Sequence, residues 1–220
     1  MALDRAVSRE VARLLRLFSA EICPFAQRVR ALLTHLGEPF EVLTVDLSNR
    51  DPDFLEISPT GKIPLLLDGE LMLYESQVIL EYLAEKLGWR SAFASDPRLR
   101  ARQRLAMKQW DGAVINVWYR SVKEPWSLDA RARGMLEKEL DQMARTIQVV
   151  GGAVESLPAF HCAPFWARME WLRDRSPMPA LIDARPALKD WLDRAVAIPT
   201  IQQTLPDRER AVKAYLSNQP

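Results

Sequence analysis

Hydrophobic periodicity changes character at Trp89, and that switch limits the architectures open to the chain. Before it, short β-like runs alternate with helical ones. Leu14 to Phe18 reads as a strand, and Phe25, Val29, Leu32, Leu33 and Leu36 then lie on one face of a helix over Pro24 to Leu36. Gly37 follows where a left-handed residue closes such a helix. Phe40 to Leu47, rich in β-branched and aromatic side chains, predicts a second strand reached by a crossover. Ile63 to Leu67 and Glu70 to Tyr74 flank an Asp68-Gly69 hairpin turn. Val78, Ile79, Tyr82, Leu83 and Leu87 mark the buried face of a helix that begins near Glu75 and ends at Gly88.

Beyond Trp89 strand signals vanish. Leu136, Leu140, Met143, Ile147 and Val150 repeat at helical spacing, as do Leu188, Trp191, Leu192, Ala195 and Val196. Gly151-Gly152 interrupts the helices, and Pro186 and Pro199 stand where prolines start new ones. The expected architecture is an α/β thioredoxin-like N-terminal domain over residues 13–88, a linker over 89–97 and an all-α C-terminal domain over 98–220, preceded by a loose tail over 1–12. The N-terminus fits neither a secretory signal nor a transit peptide, and no apolar run approaches a membrane span, so a cytoplasmic location is expected. Two cysteines exclude a disulfide scaffold, and the scattered Cys23, His35, His161 and Cys162 lack the short spacing of a structural zinc site. A formal charge of +1 argues against a general nucleic-acid binder.

Three elements carry candidate chemistry. Cys23 stands between the first strand and the first helix, where unpaired N–H groups and the helix dipole favour an anion, so its pKa is expected to fall toward neutrality. Ala26 occupies the position a second thiol would need, so Cys23 cannot close a local disulfide; a lone cysteine also serves as inert packing. In Ser58 to Pro64 the proline cannot donate to a ladder, a cis Ile63-Pro64 bond is expected, and Ile63 keeps a free main chain for an extended peptide; a plain loop reads equally well. Glu75-Ser76 at a helix start offers a hydroxyl and N–H groups to a carboxylate and a carboxylate to an ammonium group, or it is simple capping.

In this order, across Leu14 to Gly88, the three elements resemble the N-terminal domain of the cytosolic glutathione transferase superfamily, and chain length, linker and helical domain extend the resemblance over nearly the whole sequence. Cys23 to Arg30 (Cys-Pro-Phe-Ala-Gln-Arg-Val-Arg) is most similar to the omega class and its cysteine-bearing relatives, including dehydroascorbate reductases and intracellular chloride channel proteins. The resemblance implies the glutathione transferase fold, a homodimer, glutathione as cosubstrate and a small electrophile or disulfide as second substrate. It implies Cys23 as the catalytic nucleophile of thiol transfer rather than conjugation. Phe25, Arg50, Lys62, Ile63, Pro64, Glu75 and Ser76 would hold glutathione, while Trp110, Trp118, Tyr119 and Trp126 cluster where the family walls its second-substrate cleft, although Trp110 and Trp118 equally suit a helix core.

Cys162 to Arg168 and Tyr74 to Tyr82 are also similar to stringent starvation protein A, a glutathione-transferase-fold protein that binds RNA polymerase and lacks the active-site cysteine; Cys23 favours the enzymatic branch. Ser156 to Ala159 departs from the family's Ser/Thr-x-x-Asp capping box, because the carboxylate is missing. Cys162 and His161 are expected to be core residues, and Arg98, Arg100, Arg102, Arg104 and Lys108 a solvated helix face.

Overall fold

The computed structural model describes residues 14–123 and 129–217; the expected tail and Trp126 lie outside the described residues. The first part runs β1 (Leu15–Ser19), α1 (Pro24–Leu36), β2 (Phe40–Thr44), α2 (Pro52–Ile57), β3 (Leu65–Asp68), β4 (Leu71–Tyr74) and α3 (Ser76–Lys86). The sheet order is β2-β1-β3-β4, with β1 parallel to β2 and antiparallel to β3, and β3 antiparallel to β4. Because strand side chains alternate, Leu15, Leu17 and Leu66 bury one face against α1 and α3, while Leu65 and Phe18 turn to the other and meet Phe54 of α2.

Local chemistry fixes the boundaries. Gly37 closes α1 at φ 65, and its N–H and that of Glu38 return to the last carbonyls. The second strand ends at Thr44, earlier than its composition suggests. The hairpin turn is Gly69-Glu70 rather than Asp68-Gly69: Asp68 still pairs with Leu71, and Gly69 takes the positive φ at the first turn position. The short α2 has no counterpart in the apolar periodicity; Asp51 accepts from the Asp53 N–H and Pro52 opens the helix.

The second part comprises α4 (Pro97–Gln109), a π-helical turn (Trp110–Ile115), α5 (Asn116–Lys123), α6 (Ala130–Val149), α7 (Leu157–Trp171), α8 (Met178–Asp183), α9 (Pro186–Val196), α10 (Pro199–Gln203) and α11 (Arg208–Leu216). Every residue of α7 from Leu157 to Met169 is buried, which makes it the central helix of this part. It starts at Ser156, whose hydroxyl donates to the Ala153 carbonyl instead of capping. Glycines 151 and 152, both at positive φ, turn the chain between α6 and α7.

One buried guanidinium joins the two parts. Arg28 of α1 donates from Nη2 to Asp111 Oδ1 at 2.6 Å, from Nη1 to Ser76 Oγ at 2.9 Å, and from Nε to the His161 carbonyl at 2.7 Å. Its planar face lies against the rings of Phe25 and Phe165, at 5.1 and 4.7 Å from their centroids. His161 Nε2 faces two acceptors, Asp111 Oδ1 at 2.9 Å and the Met107 carbonyl at 3.2 Å, so that nitrogen carries the proton. Nδ1 is buried without a partner, and the ring is neutral. Burial, with the charge of Arg28, pushes the His161 pKa down to about 4. Burial alone would raise Asp111, but His161 and Arg28 outweigh it and hold the carboxyl well below the usual carboxylate range.

Removing the carboxylate in Asp111→Asn strands the Arg28 charge in the interior, and urea denaturation at pH 7 should show a loss of about 3 kcal/mol. His161 titrates lower in the folded chain than its ordinary 6.5, so the unfolded chain binds the extra proton between pH 6.5 and about 4. Stability should fall as pH drops through that window, by up to about 3 kcal/mol. In His161→Gln that part of the slope should disappear.

Candidate active site

Cys23 occupies the N-cap of α1 with extended backbone, φ −74 and ψ 116, and its N–H donates to the Ala20 carbonyl at 3.1 Å. Pro24 takes the first helical position, where no hydrogen bond is lost. The sulfur shares a small apolar cluster with Ala20, Phe25, Ala26, Leu47 and Ile63. Three of the sequence-derived residues, Cys23, Phe25 and Ile63, are thereby brought together. The pKa expectation is corrected: Cys23 is only 9% exposed, and burial pushes the thiol up despite the N–H groups of Ala26 and Phe25 and the charges of Arg168 and Arg30. Helix-end stabilisation is present, and desolvation exceeds it.

Ile63-Pro64 is cis, and Ile63 precedes the β3 ladder, which begins pairing at Leu65. Pro64 is buried and Lys62 exposed. Glu75 is the one non-glycine residue at positive φ among the described residues, at 67°, as the N-cap of α3. Holding a glutamate there costs on the order of 1–3 kcal/mol, a strain characteristic of ligand-holding turns. Its side chain makes no cap and is exposed, while Ser76 beside it is 5% exposed and tied through Oγ to Arg28. Arg50 is half-buried with Nε unpartnered.

The aromatic wall is corrected in part. Trp110 and Trp118 are wholly buried and belong to the core of the helical part, where large rings fill the space between α-helices. Tyr119 and Tyr215, the latter on α11, stand near enough for the sulfur's charge to act on both phenols. Burial raises Tyr119 well above its ordinary value and Tyr215 to about 12, so both are neutral donors. Arg210 of α11 pairs at 2.8 Å with Glu21 in the turn before Cys23. Cys162 is a core residue, 2% exposed, and burial raises its thiol strongly.

Several residues had no assigned role in the sequence. Arg168 of α7 and Arg30 of α1 grip the segment before Cys23: Arg168 reaches the Ile22 carbonyl at 3.2 Å, and Arg30 the Ala20 and Glu21 carbonyls at 3.0 and 3.1 Å. The four-residue step from Pro164 to Arg168, which carries a guanidinium to the Pro164 carbonyl at 2.7 Å, was the available signal for the first. Nothing marked Tyr215. The basic run on α4 is solvated only in part, since Arg104 pairs with Glu81 at 2.8 Å and Arg100 bonds the Ala94 and Ser95 carbonyls. A cavity of about 360 Å³ between α3 and α4, lined by Glu81, Trp89, Phe93, Arg100 and Arg104 among others, includes none of the candidate site residues. Among the described residues no group of three His, Cys, Asp or Glu could hold a metal ion, and no helix is long and apolar enough to cross a membrane.

Residues 17–90 match the family described as "Glutathione S-transferase, N-terminal domain". The chain is 26% identical to glutathione S-transferase omega-1 of Sus scrofa, over 94% of this chain and 88% of that protein. It is 28% identical to a stringent starvation protein A homolog of Haemophilus ducreyi, over 70% and 69%. In fold it is similar to glutathione transferase Omega 2C of Trametes versicolor, with TM-score 0.77 and 19% identity over 92% of this chain and 97% of that one.

Iodoacetamide applied to the native chain at pH 8 should label Cys23 and leave Cys162 unlabelled until denaturant is added. Peptide mass mapping reads both sites at once, and labelling of Cys162 at a comparable rate would contradict its placement.

Proposed function

From a chain whose residues 17–90 match the glutathione S-transferase N-terminal domain and whose fold is similar to that of an omega glutathione transferase over 92% of the chain, we propose a glutathione-dependent thiol transferase in which Cys23 is the nucleophile. The observation that carries this reading is that a sulfur, and not a hydroxyl, stands at the start of α1. A hydroxyl there can only assist the glutathione thiolate by hydrogen bonding, whereas a sulfur attacks by itself.

The surrounding residues fit glutathione. Ile63 has main-chain N–H and C=O groups outside the β3 ladder for its extended backbone. The N-terminus of α3 with Ser76 suits the γ-glutamyl carboxylate, and exposed Glu75 suits the ammonium group. Arg50 and Lys62 are placed in the reading at the glycine carboxylate, with Phe25 and Pro64 as apolar contacts. Tyr119 contributes to the second-substrate side. The reading includes residues 13–88 as the glutathione-binding domain, 98–220 as the domain that selects the second substrate, a cytoplasmic location and a homodimer.

In the first step the Cys23 thiolate attacks the glutathione sulfur of a mixed disulfide. The Cys23–S–S–glutathione bond forms, the old S–S bond breaks, and the other thiolate leaves and takes a proton from water. A second glutathione thiolate then attacks the glutathione sulfur on Cys23, releasing oxidised glutathione and restoring the Cys23 thiolate.

A second reading, a binding protein that keeps the fold without chemistry, is favoured by the burial of Cys23 and the similarity to the stringent starvation protein A homolog. One experiment separates the two. Oxidised glutathione should leave one glutathione on the native protein by intact mass and none on Cys23→Ala. Absence of an adduct on the native protein, together with co-purification of RNA polymerase, would select the second reading. Within the first, Ser76→Ala should weaken glutathione binding by about 1 kcal/mol, or roughly fivefold in Kd by calorimetry.

A further inference from the structure

Arg168 is fully buried, and its surroundings do not answer its charge. Nη1 donates to Gln27 Oε1 at 2.5 Å and to the Pro164 carbonyl at 2.7 Å, and Nη2 to the Ile22 carbonyl at 3.2 Å. All three acceptors are neutral. Nε is buried with no partner, and among the described residues no carboxylate lies within ion-pair distance of the guanidinium. Arg28, the other fully buried arginine, has Asp111. A buried guanidinium without an anion is a costly arrangement, retained where an anion is supplied.

The groups around the sulfur show which anion that is. The charges of Arg30 on α1 and Arg168 on α7 act on it, its own charge acts on Tyr119 of α5 and Tyr215 of α11, and Glu21 acts on Arg30 from the preceding turn. Arg30 is spread over Ser19 Oγ and the Ala20, Glu21 and Thr204 carbonyls, with the Glu21 charge nearby. Both phenols are harder to ionise than their ordinary value. The acid left for Arg168 is Cys23.

We propose that Arg168 is the positioning residue and counter-charge of the Cys23 thiolate: from its buried seat on α7 it holds the Ile22 carbonyl, which sets the sulfur at the start of α1, and its unanswered charge is neutralised when that sulfur ionises. The proposal rests on Cys23 being the nucleophile of this site. It assigns a role in the reaction to the central helix of the second part. With Arg168 neutralised, burial opposes ionisation of the thiol with only Arg30 and two amide N–H groups against it.

The test uses the intact chain and needs no glutathione. In iodoacetamide alkylation the thiol proton passes to buffer, the thiolate displaces iodide and an S–C bond forms, so the rate against pH traces the thiolate fraction. Peptide mapping follows Cys23, with Cys162 as a silent internal control. Arg168→Gln keeps amide donors for Ile22 and Pro164 while removing the charge, and Arg168→Lys keeps the charge. The Gln variant should move the midpoint up by about one pH unit and slow alkylation at pH 7.5 about tenfold, with the high-pH plateau preserved. The Lys variant should hold the midpoint near that of the parent chain.

An unchanged midpoint in the Gln variant, or a fallen plateau with no shift, would assign Arg168 a purely structural role and overturn the proposal. Should the Gln variant fail to fold by circular dichroism, the Lys variant decides, since a midpoint raised by a full unit with the charge still present overturns it. Failure of the glutathione adduct on the parent chain would reject the thiol-transfer reading and leave this pH profile standing, so the two outcomes are distinguishable.

Discussion

The bond between Arg28 and Asp111 is where the sheet-bearing part and the helical part become one protein. Arg28 stands on the helix that Cys23 begins, and its three nitrogens reach Ser76 of α3, the π-helical turn and the central helix α7. Stacking on Phe25 and Phe165 keeps the guanidinium plane fixed. Everything proposed for the site inherits this geometry: the sulfur, the serine of the α3 turn and the wall from the second part are all at most one element away from one side chain. A neutral His161 completes the arrangement by donating to the same carboxylate, so the buried charge count is one cation against one anion.

The cysteine itself is governed by a contest of two effects. The start of a helix stabilises an anion by a few tenths to about one kcal/mol per group in favourable geometry, and nearby cations add to it. Removal of a thiolate from water works in the opposite direction and wins for the buried Cys23. Reactivity in this chain therefore depends on solvent and ligand reaching the sulfur as much as on where the helix begins.

Much of this was legible in the sequence because it is local. Gly37, Gly88, Pro186 and Pro199 mark helix ends by conformational requirement alone, and α1 announces itself through a single apolar face. The hairpin was visible, though not which pair of residues turns, because Asp-Gly and Gly-Glu are both competent and the ladder chooses between them. The site was legible where it is built from consecutive residues, as at Cys23 to Phe25 and Glu75-Ser76. It was not legible where residues far apart in sequence converge: Arg168, Tyr215 and Asp111 acquire their roles only from packing. Trp110 and Trp118 show the converse, aromatic residues in a suggestive cluster that the fold spends on its interior.

The π-helical turn at Trp110–Ile115 sits between α4 and α5 and accommodates more residues per turn than the helices on either side. Asp111, which bonds Arg28, lies within it, and Tyr119, on which the Cys23 charge acts, lies just beyond. Wound as an ordinary α-helix with all of its residues kept, the segment would rotate one of these side chains relative to the other by about 100°, the angle one residue spans. The winding of this segment is thus a gear ratio between the joint of the molecule and its reactive pocket. Rewinding that adds or removes no residue would here disengage the two, with every named side chain still in the sequence.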